Sequence, residues 1–148
     1  MDSVMIARRL GAGGLIAVAA VHVHWARGSS WPASDAQMLA QAVIGRNTMP
    51  GAVPCLSVSA MLMLGASFVS GFPQHLPKLQ RAGALGVVVT LALRGMIGAS
   101  GQMPHDRASR TFAYWNRRLY SPLCIALAAL CAAGLVLPGD VARARATA

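Results

Sequence analysis

The fold is decided by residues 52–72, which read AVPCLSVSAMLMLGASFVSGF. This stretch of 21 residues contains no Asp, Glu, Lys, Arg or His. As a helix it would rise about 31 Å at roughly 1.5 Å per residue, which matches the roughly 30 Å hydrocarbon core of a bilayer. The stretch therefore predicts a transmembrane helix.

Three further apolar segments flank this one. They predict helices over about residues 5–26, 82–100 and 119–137. Arg8 and Arg9 stand near the start of the first, Arg94 interrupts the second, and Pro138 follows the third. A cleaved signal peptide is the alternative for the first segment, because its two arginines could form a basic region and residues 17–19 an A-x-A cleavage site.

The composition of the chain agrees with a membrane protein. Of its 148 residues, 55% are hydrophobic and 11% are charged, whereas an ordinary soluble domain has about 25% charged residues. The connecting segments are too short to build a second core. The sequence thus predicts an all-α fold, an integral membrane bundle of four transmembrane helices in a single domain over residues 1–148.

The formal net charge of +9 raises the question of a nucleic-acid partner. The Lys and Arg residues, however, lie mostly at the ends of the apolar segments, where basic residues contact lipid headgroups and orient a protein in the bilayer. We therefore expect the lipid bilayer as the partner and no nucleic acid. A preference for anionic lipid and a homo-oligomer both stay open.

Small residues recur at four-residue spacing in the third and fourth predicted helices. The pairs are Ala82 and Gly86, Gly95 and Ala99, Ala128 and Ala132, and Ala129 and Ala133. Such spacing lets helix backbones approach closely in a membrane. Because the chain is rich in Ala and Gly throughout, a background frequency explains the pairs equally well.

The longest connecting segment, residues 27–51, contains a helix start signal. Ser34 and Gln37 have the spacing of a capping box, in which the Ser side chain caps and the Gln side chain reaches back. The apolar residues that follow fall on one helix face. We therefore predict a short helix over about residues 35–44 that lies in the membrane interface.

Four crossings place both ends of the chain on one side of the membrane. Side A carries the N-terminus, the 72–81 loop and the C-terminal tail, and side B carries the 26–51 and 100–118 loops. Each side has six Lys or Arg residues, so the positive-inside rule gives a tie. Because the first helix usually dominates and Arg8 and Arg9 flank it, we expect both termini in the cytoplasm.

Arg94 is the most informative polar residue of the predicted spans. A mid-helix arginine costs about 2.5–3.5 kcal/mol on insertion scales, and no predicted span contains an acidic residue to pair with it. It could snorkel to the headgroups of side B, or pair with Asp35 or Asp106 in the loops. Alternatively, its planar set of donors could hold an anionic ligand or a lipid headgroup.

Polar and aromatic residues at the side B end extend this candidate ligand site. They are His22, Trp25, Trp115, Asn116, Arg117 and Tyr120. In the leading interpretation His22 exchanges a hydrogen bond with the ligand and the aromatic side chains form the walls. The aromatic residues are equally typical of the belt at a membrane interface. No catalytic residue is assigned.

The start of the fourth helix has two interpretations. Ser121 and Pro122 fit the N-cap and the first helical position. If the helix instead begins near Thr111, Pro122 kinks it, and Asn116, Tyr120 and Cys124 line one face.

Metal and thiol chemistry have little support in the residue spacing. His22 and His24 lie about 200° apart around a helix and cannot chelate one metal, so a haem or metal site would need one of them together with His105. The three cysteines form no CxxC pair and fit small buried side chains. A disulfide between Cys55 and Cys124 stays a hypothesis. We assign no metal site, and the cofactor is unknown.

Two stretches of the chain are similar to a known family. The strings VHVHW at 21–25 and FAYWNRRLYSPLC at 112–124, together with Arg94, resemble the family of small bacterial four-helix membrane proteins called domain of unknown function 3995. The resemblance follows the segment order over nearly the whole chain and implies the same fold and a bacterial inner membrane. The family commonly has an acid where this chain has Asn116. The resemblance implies no activity.

Three functional hypotheses follow. The leading one is binding or transport of a small anionic ligand or lipid headgroup in a polar pocket on side B. The second is a membrane oxidoreductase that acts on a quinone or lipid, with His22 and Tyr120 as proton donors and Cys55 and Cys124 as a redox pair. The third is a structural subunit of a membrane complex. Whether the protein is an enzyme is open.

Overall fold

The computed structural model describes residues 3–101 and 110–135. The helices are α1 (Ser3–Ala26), α2 (Ala36–Val43), α3 (Ala52–Ser70), α4 (Pro77–Ser100), α5 (Arg110–Trp115) and α6 (Ser121–Leu135), and a π-helical turn (Asn116–Tyr120) joins α5 to α6. Those two ranges contain no strand, which confirms the all-α prediction.

Four helical stretches are long and apolar enough to cross a membrane. They are α1, α3, α4 and the continuous stretch Arg110–Leu135, here called the fourth span. The shortest has 19 residues and rises roughly 28 Å, close to the thickness of the hydrocarbon core. Large apolar side chains point outward, with Met61 74% and Leu10 56% exposed, as a bundle surrounded by lipid requires. The prediction of four spans is confirmed.

The four spans form a ring in the order α1, α3, α4 and the fourth span. Each span packs against its two neighbours in this order, whereas α3 and α6 face each other diagonally and barely touch. Small side chains dominate the buried core between them. The core consists of Ala12, Leu15, Ala66, Val69, Ala84 and Cys131. Close packing of helices through small residues is the usual solution where lipid gives no hydrophobic drive for association.

Helix boundaries agree with the sequence prediction to within two residues for α1 and α3. The predicted start of the third span at residue 82 is wrong, because α4 begins at Pro77. Proline suits the first turn of a helix, where its missing N–H needs no partner, and the polar residues of this turn lie outside the apolar run that marked the span. The predicted end of the last helix at residue 137 lies outside the described residues.

The start predicted for the last helix at residue 119 is also wrong. The helix begins at Arg110, so the alternative with a start near Thr111 is correct, and Pro122 lies inside the span. A proline in an α-helix clashes with the carbonyl four residues earlier and lacks an N–H to donate. The chain avoids this conflict by widening into a π turn, in which the Ser121 N–H donates to the Asn116 carbonyl.

The short helix predicted in the first loop is present as α2, but its capping residue differs from the prediction. Asp35, and not Ser34, is the N-cap, and its carboxylate accepts the Met38 N–H at 2.8 Å. Ser34 Oγ donates to the other Asp35 oxygen at 3.2 Å. The Met38 hydrogen bond holds the pKa of Asp35 below its ordinary value. Since α2 packs against α5, it ties the first loop to the fourth span.

On side A, Arg8 joins two spans. Its Nε and Nη2 atoms donate to the Gly134 carbonyl at 3.3 and 3.1 Å, near the end of α6. A Cβ at Gly134 would stand 2.9 Å from the Cα of Arg8, so the two helices meet where only glycine fits. Arg8, which the sequence marks as a topology signal, therefore also caps a helix end.

Candidate functional site

Arg94 is joined to the π turn by two consecutive hydrogen bonds. Its Nη2 donates to Asn116 Oδ1 at 2.9 Å, and Asn116 Nδ2 donates to the Gly98 carbonyl at 3.0 Å. Asn116 is only 3% exposed. The structure thus brings together two of the predicted ligand residues, Arg94 on α4 and Asn116 on the fourth span.

The π turn explains why Asn116 faces α4. A π turn contains one extra residue, which rotates the preceding helix by about 100° relative to a regular α-helix. Asn116 is the first residue of this turn, directly before the chain enters α6. The widened turn therefore aims a buried amide at Arg94, and π turns of this kind are frequent at functional sites.

Gly98 makes room for this arrangement. A Cβ at Gly98 would stand 2.6 Å from Arg94 Nη1 and 2.9 Å from Asn116 Nδ2, and it would also press against Ser121 Oγ. At Gly95, one turn earlier, a Cβ would meet the Ser121 carbonyl at 3.1 Å. The two glycines give α4 a flat strip on which the fourth span rests. We call Arg94, Gly98, Asn116 and Ser121 the Arg94 cluster.

Two polar atoms of the Arg94 cluster are buried without a hydrogen-bond partner in the described part of the chain. They are Arg94 Nη1 and Ser121 Oγ. Ser121 is fully buried, whereas one interpretation of the sequence made it the N-cap of the fourth helix. A buried donor without a partner costs about 1–3 kcal/mol, and more when it carries charge. The two atoms lie close to the same face of Gly98.

Asp35, one of the two predicted loop partners, does not neutralise Arg94. Snorkelling is not observed, because Nη1 is enclosed by protein. Asp35 is the only carboxylate in residues 3–101 and 110–135, and it caps α2. Asp106 lies outside the described residues. A guanidinium in this bundle is therefore bonded to a neutral amide, and no carboxylate in the described ranges balances its charge.

His22 and Trp25 belong to a separate cluster at the end of α1. The His22 Nδ1 atom is 2.9 Å from the Val18 carbonyl of the same helix. Its ring lies 5.1 Å from the ring of Trp25, whose Nε1 donates to the Trp31 carbonyl at 2.7 Å. These bonds fix the first loop onto α1. Among the described contacts, none connects His22 or Trp25 to Arg94.

Trp115 directly precedes the π turn and Arg117 and Tyr120 belong to it, but their side chains do not bond to the Arg94 cluster within the described ranges. Trp115 is 41% exposed and packs against the edge of Tyr114. Arg117 is exposed and lies over Gly101. Tyr120 is half-buried in the turn. Their position agrees with the interfacial belt that was the alternative interpretation of the aromatic residues.

The cysteines do not form a redox pair in this structure. Cys55, Cys124 and Cys131 are all free. Cys55 lies on α3 and Cys124 on α6, which are diagonal in the ring, so the predicted disulfide between them is not formed. In the described ranges, no three His, Cys, Asp or Glu side chains lie close enough together to hold a metal ion.

Fold and site define a class of protein: a multi-pass helical membrane protein of four spans, with a partly buried arginine near one end. Within that class, the model of the family described as "Protein of unknown function (DUF3995)" matches residues 15–131. The chain belongs to this family, which confirms the resemblance noted in its sequence. No curated protein and no solved structure matches the chain.

Proposed function

We infer that the Arg94 cluster binds an anionic group, and that the protein is a binding or transport-type membrane protein. The observation that carries this proposal is the buried Nη1 of Arg94, which has no acceptor among the described residues. Placing a charged group in a membrane bundle is costly unless a counter-charge accompanies it. An anion supplies both the missing acceptor and the missing charge.

The donors of the cluster suit an oxygen of a carboxylate or a phosphate. Arg94 Nη1 offers charged N–H donors, and the Ser121 hydroxyl offers a second donor from the fourth span. Such an oxygen could come from a small free anion or from the headgroup of an anionic lipid. Both sources share the chemistry that the cluster recognises, and the experiment below separates them.

Replacing Arg94 separates ligand binding from folding. We expect inorganic phosphate or phosphatidylglycerol to raise the melting temperature of the wild type in detergent, since a ligand at 100 times its Kd adds about 2.7 kcal/mol. Arg94→Leu should abolish this rise. Arg94→Lys keeps the charge but loses the planar guanidinium, so this variant should lose most of the rise in melting temperature.

The two probes identify the source of the anion. A rise with phosphate indicates a small free anion, and a rise with phosphatidylglycerol alone indicates a lipid headgroup. If both probes stabilise the wild type and the two variants equally, Arg94 does not contact an anion and the proposal is wrong. If Arg94→Leu does not accumulate in membranes, the comparison rests on Arg94→Lys, which preserves the charge.

We also propose that both termini face the cytoplasm of a bacterial inner membrane. Arg8 and Arg9 beside α1 support this orientation, and four spans keep both termini on one side. A C-terminal alkaline phosphatase fusion should therefore be inactive, and a C-terminal fluorescent-protein fusion should be bright. The reverse pattern would contradict this orientation.

A further inference from the structure

A second basic feature lies at the start of the fourth span. An open groove of about 300 Å³ is lined by Ala113, Tyr114, Arg117 and Arg118. We call it the arginine groove. Unlike the enclosed Nη1 of Arg94, its two arginines are exposed. The groove is therefore accessible to a molecule that lies against the outside of the bundle.

An aromatic ring holds Arg118 in place. The guanidinium carbon of Arg118 lies 5.1 Å from the centre of the Tyr114 ring, within cation–π range. Tyr114 packs in turn against Trp115, with ring centres 5.4 Å apart and ring planes at 86°. Stacking covers one face of the guanidinium, whereas its N–H edge stays available to an acceptor.

The end of α4 positions Arg117. Its Nη2 lies 2.7 Å from the point where a Cβ on Gly101 would stand. Gly101 closes α4 with φ 70°, and the last carbonyls of a helix carry partial negative charge, which attracts a cation. Neither the Arg117 nor the Arg118 side chain has a hydrogen bond or an ion pair with another residue of the described ranges. Toward that part of the chain, both guanidinium groups thus keep their donors free.

The groove lies near the start of the fourth span, where we expect lipid phosphates. The fourth span has 26 residues and rises about 39 Å, which exceeds the roughly 30 Å hydrocarbon core. Its first turns therefore reach the headgroup region. The neighbouring Tyr114 and Trp115 are both exposed, as expected of aromatic residues at this boundary.

We propose that the arginine groove binds the phosphodiester of an anionic phospholipid. Two guanidinium groups present N–H pairs that match phosphate oxygens, and the lining residues within the described ranges include no acid. The ring of Tyr114 gives the lipid an apolar surface below its phosphate. The inference is independent of the Arg94 cluster, which has different donors and a different degree of enclosure.

The test is lipid selection by the full chain in nanodiscs of equimolar phosphatidylcholine and phosphatidylglycerol. Native mass spectrometry of the released protein gives the ratio of the two lipids that stay bound. We expect the wild type to retain phosphatidylglycerol preferentially. The Arg117→Gln, Arg118→Gln double variant should lower the ratio by about fivefold for each arginine removed.

Matched variants separate the groove from general surface charge. Arg46→Gln removes an exposed arginine of the first loop and should keep the wild-type ratio. Tyr114→Phe keeps a ring below Arg118 and should also keep the wild-type lipid ratio. Tyr114→Leu removes the ring without any change of charge and should lower the ratio. A wild-type ratio in the double variant, or equal ratios in the two Tyr114 variants, would overturn the proposal.

Discussion

Replacing Gly98 with alanine should destabilise the bundle by about 1–3 kcal/mol, the usual cost of overpacking. The new methyl group would stand 2.6 Å from Arg94 Nη1 and 2.9 Å from Asn116 Nδ2, and both groups would have to move. Helix propensity alone would give the opposite sign, because alanine is favoured over glycine by about 1 kcal/mol in a helix. Thermal unfolding in detergent measures the effect.

Gly86 provides the control for this prediction. It lies on the same helix, it is exposed, and a Cβ there would have no neighbour within 4 Å. Gly86→Ala should therefore leave the melting temperature unchanged or raise it slightly. If both alanine variants behave alike, the close approach at Gly98 is not what holds the cluster together.

Two substitutions at Asn116 should differ widely in their effect on stability. Asn116→Leu removes the acceptor of Arg94 Nη2 and leaves a buried guanidinium without any partner among the described residues, which should cost about 3–5 kcal/mol. Asn116→Asp keeps the acceptor and adds the missing negative charge, which should contribute about 1–3 kcal/mol.

The gain from aspartate is reduced by one lost bond. Asn116 Nδ2 also donates to the Gly98 carbonyl, and a carboxylate cannot replace that donor, which costs about 1 kcal/mol. We therefore expect the Asn116→Asp variant to melt at or above the melting temperature of the wild type. The Asn116→Leu variant should melt far below both. An aspartate variant as unstable as the leucine variant would show that Arg94 does not need a negative partner.

The fold could be predicted from the sequence because a bilayer admits few solutions. An apolar run of about 20 residues must satisfy its backbone internally, and a helix is the simple way to do so. Residues 52–72 show this directly, since α3 covers Ala52–Ser70. The start of α4 was harder to place, because its first turn is polar and carries no apolar signal.

The site was only partly predictable. Arg94 and Asn116 stand out as polar residues near apolar segments, but their contact depends on the π turn, and Pro122 is its only sequence signal. Ser121 before Pro122 resembles a helix cap, which hid its burial. The spacing of small residues predicted Gly95 and Ala99 as the pair at the helix contact. In the structure the buried pair is Gly95 and Gly98, and Ala99 is exposed.

His22 and Trp25 show a different limit. Both are rare residue types in a span, so the sequence marks them as candidates for the ligand site. The structure instead uses them locally, since His22 approaches the backbone of its own helix and Trp25 donates to Trp31. Such local hydrogen bonds depend on the path of the loop, which residue spacing does not encode.

The most direct test of the anion site is the phosphate dependence of the melting temperature in the wild type and in Asn116→Asp. Phosphate replaces the bulky HEPES anion at constant ionic strength, so that general screening stays the same. If Arg94 binds an anion, phosphate should raise the melting temperature of the wild type and should have little effect on Asn116→Asp, because the new carboxylate neutralises the guanidinium and repels a second anion. An equal rise in both proteins, or no rise in the wild type with either phosphate or phosphatidylglycerol, would contradict the proposal.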